Sequence, residues 1–271
     1  MKWFPITLLL LLTIEVPAEE NPTDGQRWVE PTAQPTAVSQ PRNERVPDFS
    51  AYRDVGLKKR VFFEFMLPRI REVNAKIRNQ RTRLITLSGK LEAGLVLQRG
   101  ELQYLSRLLK RYRMKAPFKV DTLLMNQLLE RVDILPASLV LAQSANESGW
   151  GTSRFAIEAN NYFGLWCFSR GCGLKPSSRG EGMAHEVASY NSVQQGIIAY
   201  MHNINTHKAY RELRMIRSEQ RLLQNHFMGL QLTDGLHRYS ERGEDYVREI
   251  KQMIRVNKLH EYTLASNALP T

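Results

Sequence analysis

Apolar residues recur at three- and four-residue steps along most of the chain, which predicts a mostly helical protein. The first stripe follows Leu57 and leaves Lys and Arg on the opposite face. Its members are Phe62, Phe65, Met66, Ile70, Val73 and Ile77. We expect Pro68 to kink this helix or to restart it. A second stripe over 102–112 predicts a partner helix, and we expect the two to form an antiparallel pair with a basic outer surface.

The helical spacing continues after Pro117. It predicts helices over 123–129, from Pro136 to about Asn146, over 197–204, over 213–227 and over 246–256. Short alternating pieces over 184–190 indicate a small β-hairpin. The predicted class is therefore mostly α with a minor β element.

The first fifty residues have the composition of an export signal followed by a linker. Lys2 precedes a short apolar stretch over 6–14, and Val16 and Ala18 fit the small-residue positions before a cleavage site. That stretch is shorter than the roughly 20 residues of a membrane span, although an uncleaved anchor or a buried N-terminal strand are alternatives. Residues 19–50 carry five prolines and few large apolar residues, which predicts a disordered linker.

The positive charge of the chain is concentrated in one segment. The formal net charge is +11, and residues 57–115 hold 16 Lys and Arg against 4 Asp and Glu, so the rest of the chain is close to neutral. Such a basic segment predicts docking on an anionic wall polymer or a membrane surface. Nucleic acid would satisfy the same electrostatics, but the export signal and the lack of a recognised nucleic-acid motif argue against it.

The two cysteines, Cys167 and Cys172, lie five positions apart in a loop that contains glycine. In the oxidising compartment that an exported chain reaches, a local disulfide is the simpler interpretation, and two free buried thiols are the alternative. A metal site would want more ligands, and the five-residue separation of His202 and His207 misses the four-residue helical step. We therefore expect no metal and no organic cofactor.

Glu147 is a single carboxylate placed where a predicted helix ends. Gly149 can adopt the left-handed conformation that terminates helices. The negative end of the helix dipole and nearby apolar walls both disfavour an ionised carboxylate, so we expect the pKa of Glu147 to be raised. An acid that keeps its proton near neutral pH suits glycosidic bond cleavage, because the departing oxygen must be protonated. The alternative is a solvated Glu at a frayed helix end.

The residues around Glu147 carry a specific resemblance. The segment AQSANESGWGTSRFAIEANNYFGLW contains E-S-G-W-G after an apolar helix and then N-N-x-F-G. It resembles the peptidoglycan glucosaminidases of glycoside hydrolase family seventy-three, closely over 142–164 and weakly to about residue 259. Residues 58–84 resemble the helical region ahead of this domain in the Bax-type branch, which is related to flagellar glucosaminidases. The resemblance implies an α+β, lysozyme-like fold with a cleft between two lobes.

The resemblance also implies roles for individual residues. Glu147 matches the general acid, and Tyr239 falls where the family places a tyrosine that orients the substrate N-acetyl group or water. The family usually continues Y-A-T-D, whereas this chain reads Y-S-E-R over 239–242, which weakens the transfer of that role. The implied substrate-binding residues are Trp150, Asn160, Asn161, Phe163 and Tyr190.

The second catalytic group is not fixed by the sequence. Glu181 is the preferred candidate, because it lies between two glycines on a loop that could swing over the cleft. Glu186 is the next candidate, although it could be an exposed strand residue. A substrate N-acetyl group could instead act as the nucleophile. Carboxyl groups about 5 Å apart would favour retention and roughly 6.5–9.5 Å inversion, so the stereochemistry stays open.

The predicted organisation is a signal peptide (1–18), a Pro-rich linker (19–50), a basic helical region (51–115), a catalytic domain (116–262) and a flexible tail (263–271). The predicted function is hydrolysis, in the periplasm or cell envelope, of the β-1,4 bond after N-acetylglucosamine in peptidoglycan. A lytic transglycosylase is one alternative, but such enzymes usually show a G-A-x-G-L-M-Q-like stretch where this chain has NNYFGLW. A non-catalytic wall-binding protein is another.

Overall fold

The structure, a computed structural model, describes residues 45–115, 119–176, 185–223 and 229–267. The predicted signal peptide, most of the predicted linker and Glu181 therefore lie outside the described residues. Within the stretch assigned to the linker, a short 3₁₀ turn forms at Phe49–Ala51, and its Phe49 is buried.

Helices dominate the described residues, which confirms the predicted class. They are α1 (Val55–Glu92), α2 (Arg99–Arg111), α3 (Thr122–Arg131), α4 (Ala137–Ser148), α5 (Arg154–Ala159), α6 (Val193–Thr206), α7 (Arg211–Leu222), α8 (Gly229–Leu232), α9 (Glu244–Val256) and α10 (His260–Asn267). None of these helices combines the length and the apolar character that a membrane span requires. The predicted helix over 213–227 ends earlier, at Leu222, and Phe227 lies outside the described residues.

α1 runs unbroken through Pro68, so the expected restart of the helix is not seen. Pro68 lies on the exposed face, where water can reach the carbonyl group that the missing proline amide leaves free. In the same turn the guanidinium group of Arg69 donates to the carbonyl oxygen of Phe65. Phe65 and Ile70 are buried on either side of the proline, and this packing holds the helix together.

Two apolar clusters organise the molecule, and α1 contributes to both. The main cluster joins the first half of α1 to α4, α6 and α9, with α4 buried along nearly its whole length. The second cluster joins the end of α1 to α2 and α3. α1 and α2 run antiparallel, because Lys90 pairs with Glu101 while the Tyr112 hydroxyl donates to Gln80. The basic helical region therefore shares its core with the region that follows residue 115.

A small antiparallel sheet lies between α5 and α6. Its strands are β1 (Trp166–Cys167), β2 (Gly173–Leu174) and β3 (Glu186–Ala188), and β3 occupies the centre. Trp166 faces Val187 in one ladder, and Gly173 faces Ala188 in the other. The hairpin expected within 184–190 is instead one strand that pairs with both arms of the cysteine loop.

A buried charge network joins α1, α7 and the loop before α4. Asp133 is 2% exposed, and Arg221 donates two hydrogen bonds to its carboxylate at 2.6 and 2.7 Å. Arg81 lies 3.3 Å from the same carboxylate. Arg217 is fully buried and donates to the carbonyl oxygens of Asp133 and Ile134. Burial alone would raise the pKa of Asp133, but the Arg221 hydrogen bonds and the other guanidinium charges outweigh it and lower that pKa.

Candidate active site

Glu147 lies in the last turn of α4 and, with Asn146, is one of the two α4 residues that reach solvent in part. The predicted end of the helix at a left-handed Gly149 is confirmed, with φ at 54°. The amide of Gly149 donates to Asn146 and that of Trp150 to Ala145, the pair of bonds of a Schellman motif. The helix end is therefore well capped, and the half-buried carboxyl lies at the negative end of the helix dipole.

A buried polar network lies one helical turn before Glu147. The Tyr200 hydroxyl on α6 donates to Gln143 Oε1 at 2.5 Å, and Gln143 Nε2 donates to the Tyr246 hydroxyl on α9 at 2.9 Å. Burial raises the pKa of Tyr200 well above its ordinary value, and the charges of Tyr210 and Glu147 add to the effect. Tyr200 thus stays a neutral phenol in electrostatic contact with Glu147.

Stacked rings form the support behind this network. Phe163 stacks on Tyr200 with ring centroids 4.0 Å apart, and Tyr239 stacks on Tyr246 at 5.3 Å. The Tyr239 hydroxyl donates to the Phe163 carbonyl oxygen at 2.9 Å. Phe163 is 1% exposed and Tyr239 0% exposed. In this structure, both rings support the site from within the core and present no surface to a ligand.

The turn after Glu147 is held in an uncommon backbone conformation. Gly149, Trp150 and Gly151 have φ values of 54°, 61° and 79°. For Trp150, which has a side chain, such a φ costs about 1 kcal/mol or more. The Trp150 ring packs edge-on against Phe62 and Phe63 of α1, with centroids 5.7 and 5.5 Å away. The sequence indicated a sugar contact for Trp150, and the structure directs its ring toward α1.

The paired amides Asn160 and Asn161 differ in their surroundings. Asn161 is 1% exposed; its Nδ2 donates to Leu165 and Ala188 carbonyl oxygens, and its Oδ1 accepts from the Phe163 and Leu165 amides. These four bonds make Asn161 a brace for the loop. Asn160 is half-buried in the left-handed conformation, and its Nδ2 donates to the Tyr190 carbonyl oxygen at 2.9 Å.

The cysteine loop is closed by a Cys167–Cys172 disulfide, as predicted. Glu186 on β3 is 4% exposed and accepts hydrogen bonds from the Gly171 and Gly173 amides at 3.1 and 2.9 Å. The expectation that Glu186 could be an exposed strand residue is therefore wrong. Within the described residues the two sulfurs and this carboxylate form the group closest to a metal-ligand arrangement. Since the sulfurs are bonded to each other, they are not thiolate ligands.

Gln143 is the site residue that sequence reasoning missed. A weak signal was present, because an amide stands in the apolar run LVLAQSANES four residues before Glu147 and so on the same face of the helix. Its partners lie 57 and 103 residues downstream, so no local pattern could reveal them.

Two comparisons with known proteins identify the family of the chain. A sequence profile of the glucosaminidase family, described as mannosyl-glycoprotein endo-beta-N-acetylglucosaminidase, matches residues 123–259, about half of the chain. Protein bax of Escherichia coli (strain K12) is 31% identical over 217 residues, which cover 80% of this chain and 76% of that protein. No solved structure matches the chain significantly. The chain belongs to the glucosaminidase family, glycoside hydrolase family seventy-three, in its Bax-type branch, and is a glycoside hydrolase of the endo-β-N-acetylglucosaminidase class.

Proposed function

We propose that the protein is exported to the periplasm or cell envelope and cleaves the β-1,4 bond after N-acetylglucosamine in peptidoglycan, with Glu147 as general acid. The observation that carries this proposal is the position of Glu147, a half-buried carboxyl in the last turn of an otherwise buried helix. Export is inferred from residues 1–18, which lie outside the described residues. The peptidoglycan substrate is inferred from the resemblance to the Bax-type branch.

In the proposed first step, Glu147 donates its proton to the glycosidic oxygen while an oxocarbenium-like sugar forms. The C-terminal end of α4 disfavours the carboxylate form of Glu147, because the negative end of the helix dipole lies there. Tyr200 remains neutral and its hydroxyl proton is donated to Gln143, so this proton does not stabilise the carboxylate form of Glu147. Both features favour an acid that keeps its proton until the substrate needs it.

In the proposed second step, water completes the cleavage. Glu186 is a poor candidate for activating this water, because its carboxylate accepts backbone amides within the cysteine loop. Glu181 and the N-acetyl group of the substrate remain as the proposed groups, and Glu181 lies outside the described residues.

Of the predicted sugar-binding residues, we retain Asn160 and Tyr190 as direct contacts. Both are half-buried and adjacent, since Asn160 donates to the Tyr190 carbonyl oxygen. The Tyr190 hydroxyl is buried and has no hydrogen-bond partner among the described residues, so the proposed contact uses the part of the residue that reaches solvent. Burial raises the pKa of this hydroxyl, which therefore stays protonated. We assign the other three residues of the predicted set to supporting the site, and these are Trp150, Asn161 and Phe163. Tyr239 receives the same supporting role.

The basic helices provide a proposed docking surface for an anionic wall polymer or membrane. α1, α2 and the residues that follow carry exposed cations, with few acidic neighbours. These are Arg60, Arg71, Lys76, Arg83, Arg99, Arg107, Lys110, Arg111, Arg113 and Lys115. Attraction by such a surface is long-ranged at low salt and is screened above about 0.1 M.

The test of the proposal compares Glu147→Gln with the wild type on purified wall. Turbidity clearing should fall by roughly 10²–10⁴-fold, because a general acid contributes about that much. The matched control is Glu158→Gln on α5, where the carboxylate is exposed and pairs with Arg154; its clearing should equal that of the wild type. Undiminished clearing by Glu147→Gln would remove Glu147 from the mechanism.

Mass spectrometry of the products distinguishes a hydrolase from a lytic transglycosylase and from a protein that only binds the wall. A reducing N-acetylglucosamine end is the expected product of hydrolysis. Anhydro-muramyl ends would identify a lytic transglycosylase instead. Wall that pellets with the wild-type protein but is never cleared would identify a binding protein without activity.

A further inference from the structure

The turn that follows Glu147 is supported by side chains from the start of the described chain. We propose that Phe49 and the first turns of α1 are positioning residues that hold the Glu147 turn in its catalytic geometry. They lie outside residues 123–259, which the family profile matches. This inference rests on the proposed role of Glu147 as general acid.

Phe49 is in direct contact with the turn. Its ring is 2% exposed, and a Cβ atom added to Gly151 would lie 2.3 Å from Phe49 Cδ2. Only a glycine at position 151 therefore allows the ring to come this close, and the φ of 79° at that residue also favours glycine. The Phe49 ring is in turn fixed against Phe62 and Phe65, with centroids 5.3 and 5.9 Å away.

The segment around Phe49 is itself ordered by local hydrogen bonds. The Asp48 carboxylate accepts from the Ser50 amide at 2.9 Å and from the Ser50 hydroxyl at 2.5 Å. The Ala51 amide donates to the Asp48 carbonyl oxygen at 3.2 Å. These bonds cap a short turn that places Phe49 against Gly151. The contact therefore depends on the capping residues around Phe49 and on the glycine at position 151.

Trp150 is held from the same side. Its ring contacts Phe62 and Phe63, and the Lys59 ammonium group lies 4.9 Å from the ring centroid. Lys59 also donates to Asn257 Oδ1 at 2.9 Å, which ties this contact to the end of α9. Three α1 side chains thus oppose the relaxation of a left-handed tryptophan, and strain of this kind persists only where the surroundings fix it.

The turn is coupled directly to the last turn of α4. The Trp150 amide donates to Ala145, and the Gly151 amide donates to Ser148 Oγ at 2.8 Å. Ser148 Oγ donates in turn to the Ser144 carbonyl oxygen at 2.6 Å. A displacement of Gly151 is therefore transmitted to the turn that carries Glu147. A shift of about 1 Å in a reacting group can cost roughly 100-fold in rate.

The experiment measures kcat and KM of full-length variants on soluble peptidoglycan fragments, at a temperature where circular dichroism shows each variant folded. Phe49→Ala should lower kcat at least about tenfold with KM little changed. Phe49→Leu, which keeps most of the volume, should recover most of that loss. The matched control is Leu105→Ala in the second cluster, a core truncation distant from the turn; its kcat should stay near that of the wild type.

The pH dependence of kcat/KM distinguishes a role of Phe49 in positioning Glu147 from a general loss of packing in the core. In Phe49→Ala the alkaline limb of the pH profile of kcat/KM should move to lower pH, because a turn that is no longer held exposes the Glu147 carboxyl to water and so favours its ionised form. Leu105→Ala should keep the wild-type profile. A kcat and a pH profile for Phe49→Ala that match those of Leu105→Ala would overturn the inference. If Glu147→Gln retains full activity, the proposed function itself has failed, and that outcome is distinguishable because it does not involve Phe49.

Discussion

The Asp133→Asn substitution removes the negative charge on which several buried guanidinium groups converge. Arg221 and Arg81 pair with this carboxylate, and Arg217, 3.9 Å from it, is fully buried. The variant leaves these cations uncompensated where water cannot hydrate them all. Removing one partner of a buried ion pair costs about 3–5 kcal/mol. In a chain of this size that loss corresponds to a fall in Tm of about 6–20 °C.

The same substitution should also change the pH dependence of stability. The pKa of Asp133 is lowered in the folded state from its ordinary value of 3.8, so the unfolded state binds the proton more readily. Asp133 therefore stabilises the fold at pH values above its unfolded pKa. That contribution is lost as the pH falls through the lower, folded pKa. The stability gap between wild type and Asp133→Asn should be full at pH 7 and should narrow on acidification below about pH 4.

Urea denaturation followed by circular dichroism measures this gap at each pH. Asp245→Asn is the matched control, because the same substitution there removes an exposed pair with Arg248. Its cost should stay below about 1 kcal/mol. A loss for Asp133→Asn as small as that of the control, or a gap that does not change on acidification, would show that the Asp133 carboxylate does not compensate the buried guanidinium charges.

Three further predictions follow from the site and the surface. Gln143→Leu should cost about 1–3 kcal/mol and move the alkaline limb of kcat/KM to lower pH, because the released Tyr200 hydroxyl can then stabilise the Glu147 carboxylate; a stability loss with an unchanged profile would contradict the link. Replacing Cys167 and Cys172 by serine should cost about 2 kcal/mol, and an unchanged Tm would contradict that. Charge reversal at Arg111 should weaken cosedimentation with wall at low salt but not above about 0.15 M; a loss independent of salt would point away from electrostatic docking.

The helices could be predicted from the sequence because most of them bury one face. The stripe from Phe62 to Ile77 recurs in the structure as the buried face of α1. The restart of the helix expected at Pro68 was wrong, because the effect of a proline depends on the helix face that it occupies. Pro68 lies on the exposed face, which tolerates it. The strands of the small sheet are two or three residues long, too short for an alternating pattern to reveal their pairing.

The part of the site that depends on neighbouring residues could be predicted from the sequence, and the part that depends on tertiary packing could not. Glu147 and Gly149 form a local pattern, since a helix end and its cap are set by neighbouring residues. The surroundings of Trp150 and Gln143 are tertiary, and they depend on how α1, α6 and α9 pack against α4. The boundary expected after residue 115 rests on composition, which carries no information about this packing, and half of α1 belongs to the core that surrounds the site.

Varying the leaving group tests directly whether Glu147 is the proton donor. We compare wild type and Glu147→Gln on native wall and on a dinitrophenyl glycoside of a chitin-type oligosaccharide, whose leaving group departs without a proton. We predict that Glu147→Gln loses roughly 10²–10⁴-fold in activity on wall and little on the activated glycoside, because only the first reaction requires a general acid. Equal losses on both substrates would contradict the assignment of Glu147 as the proton donor.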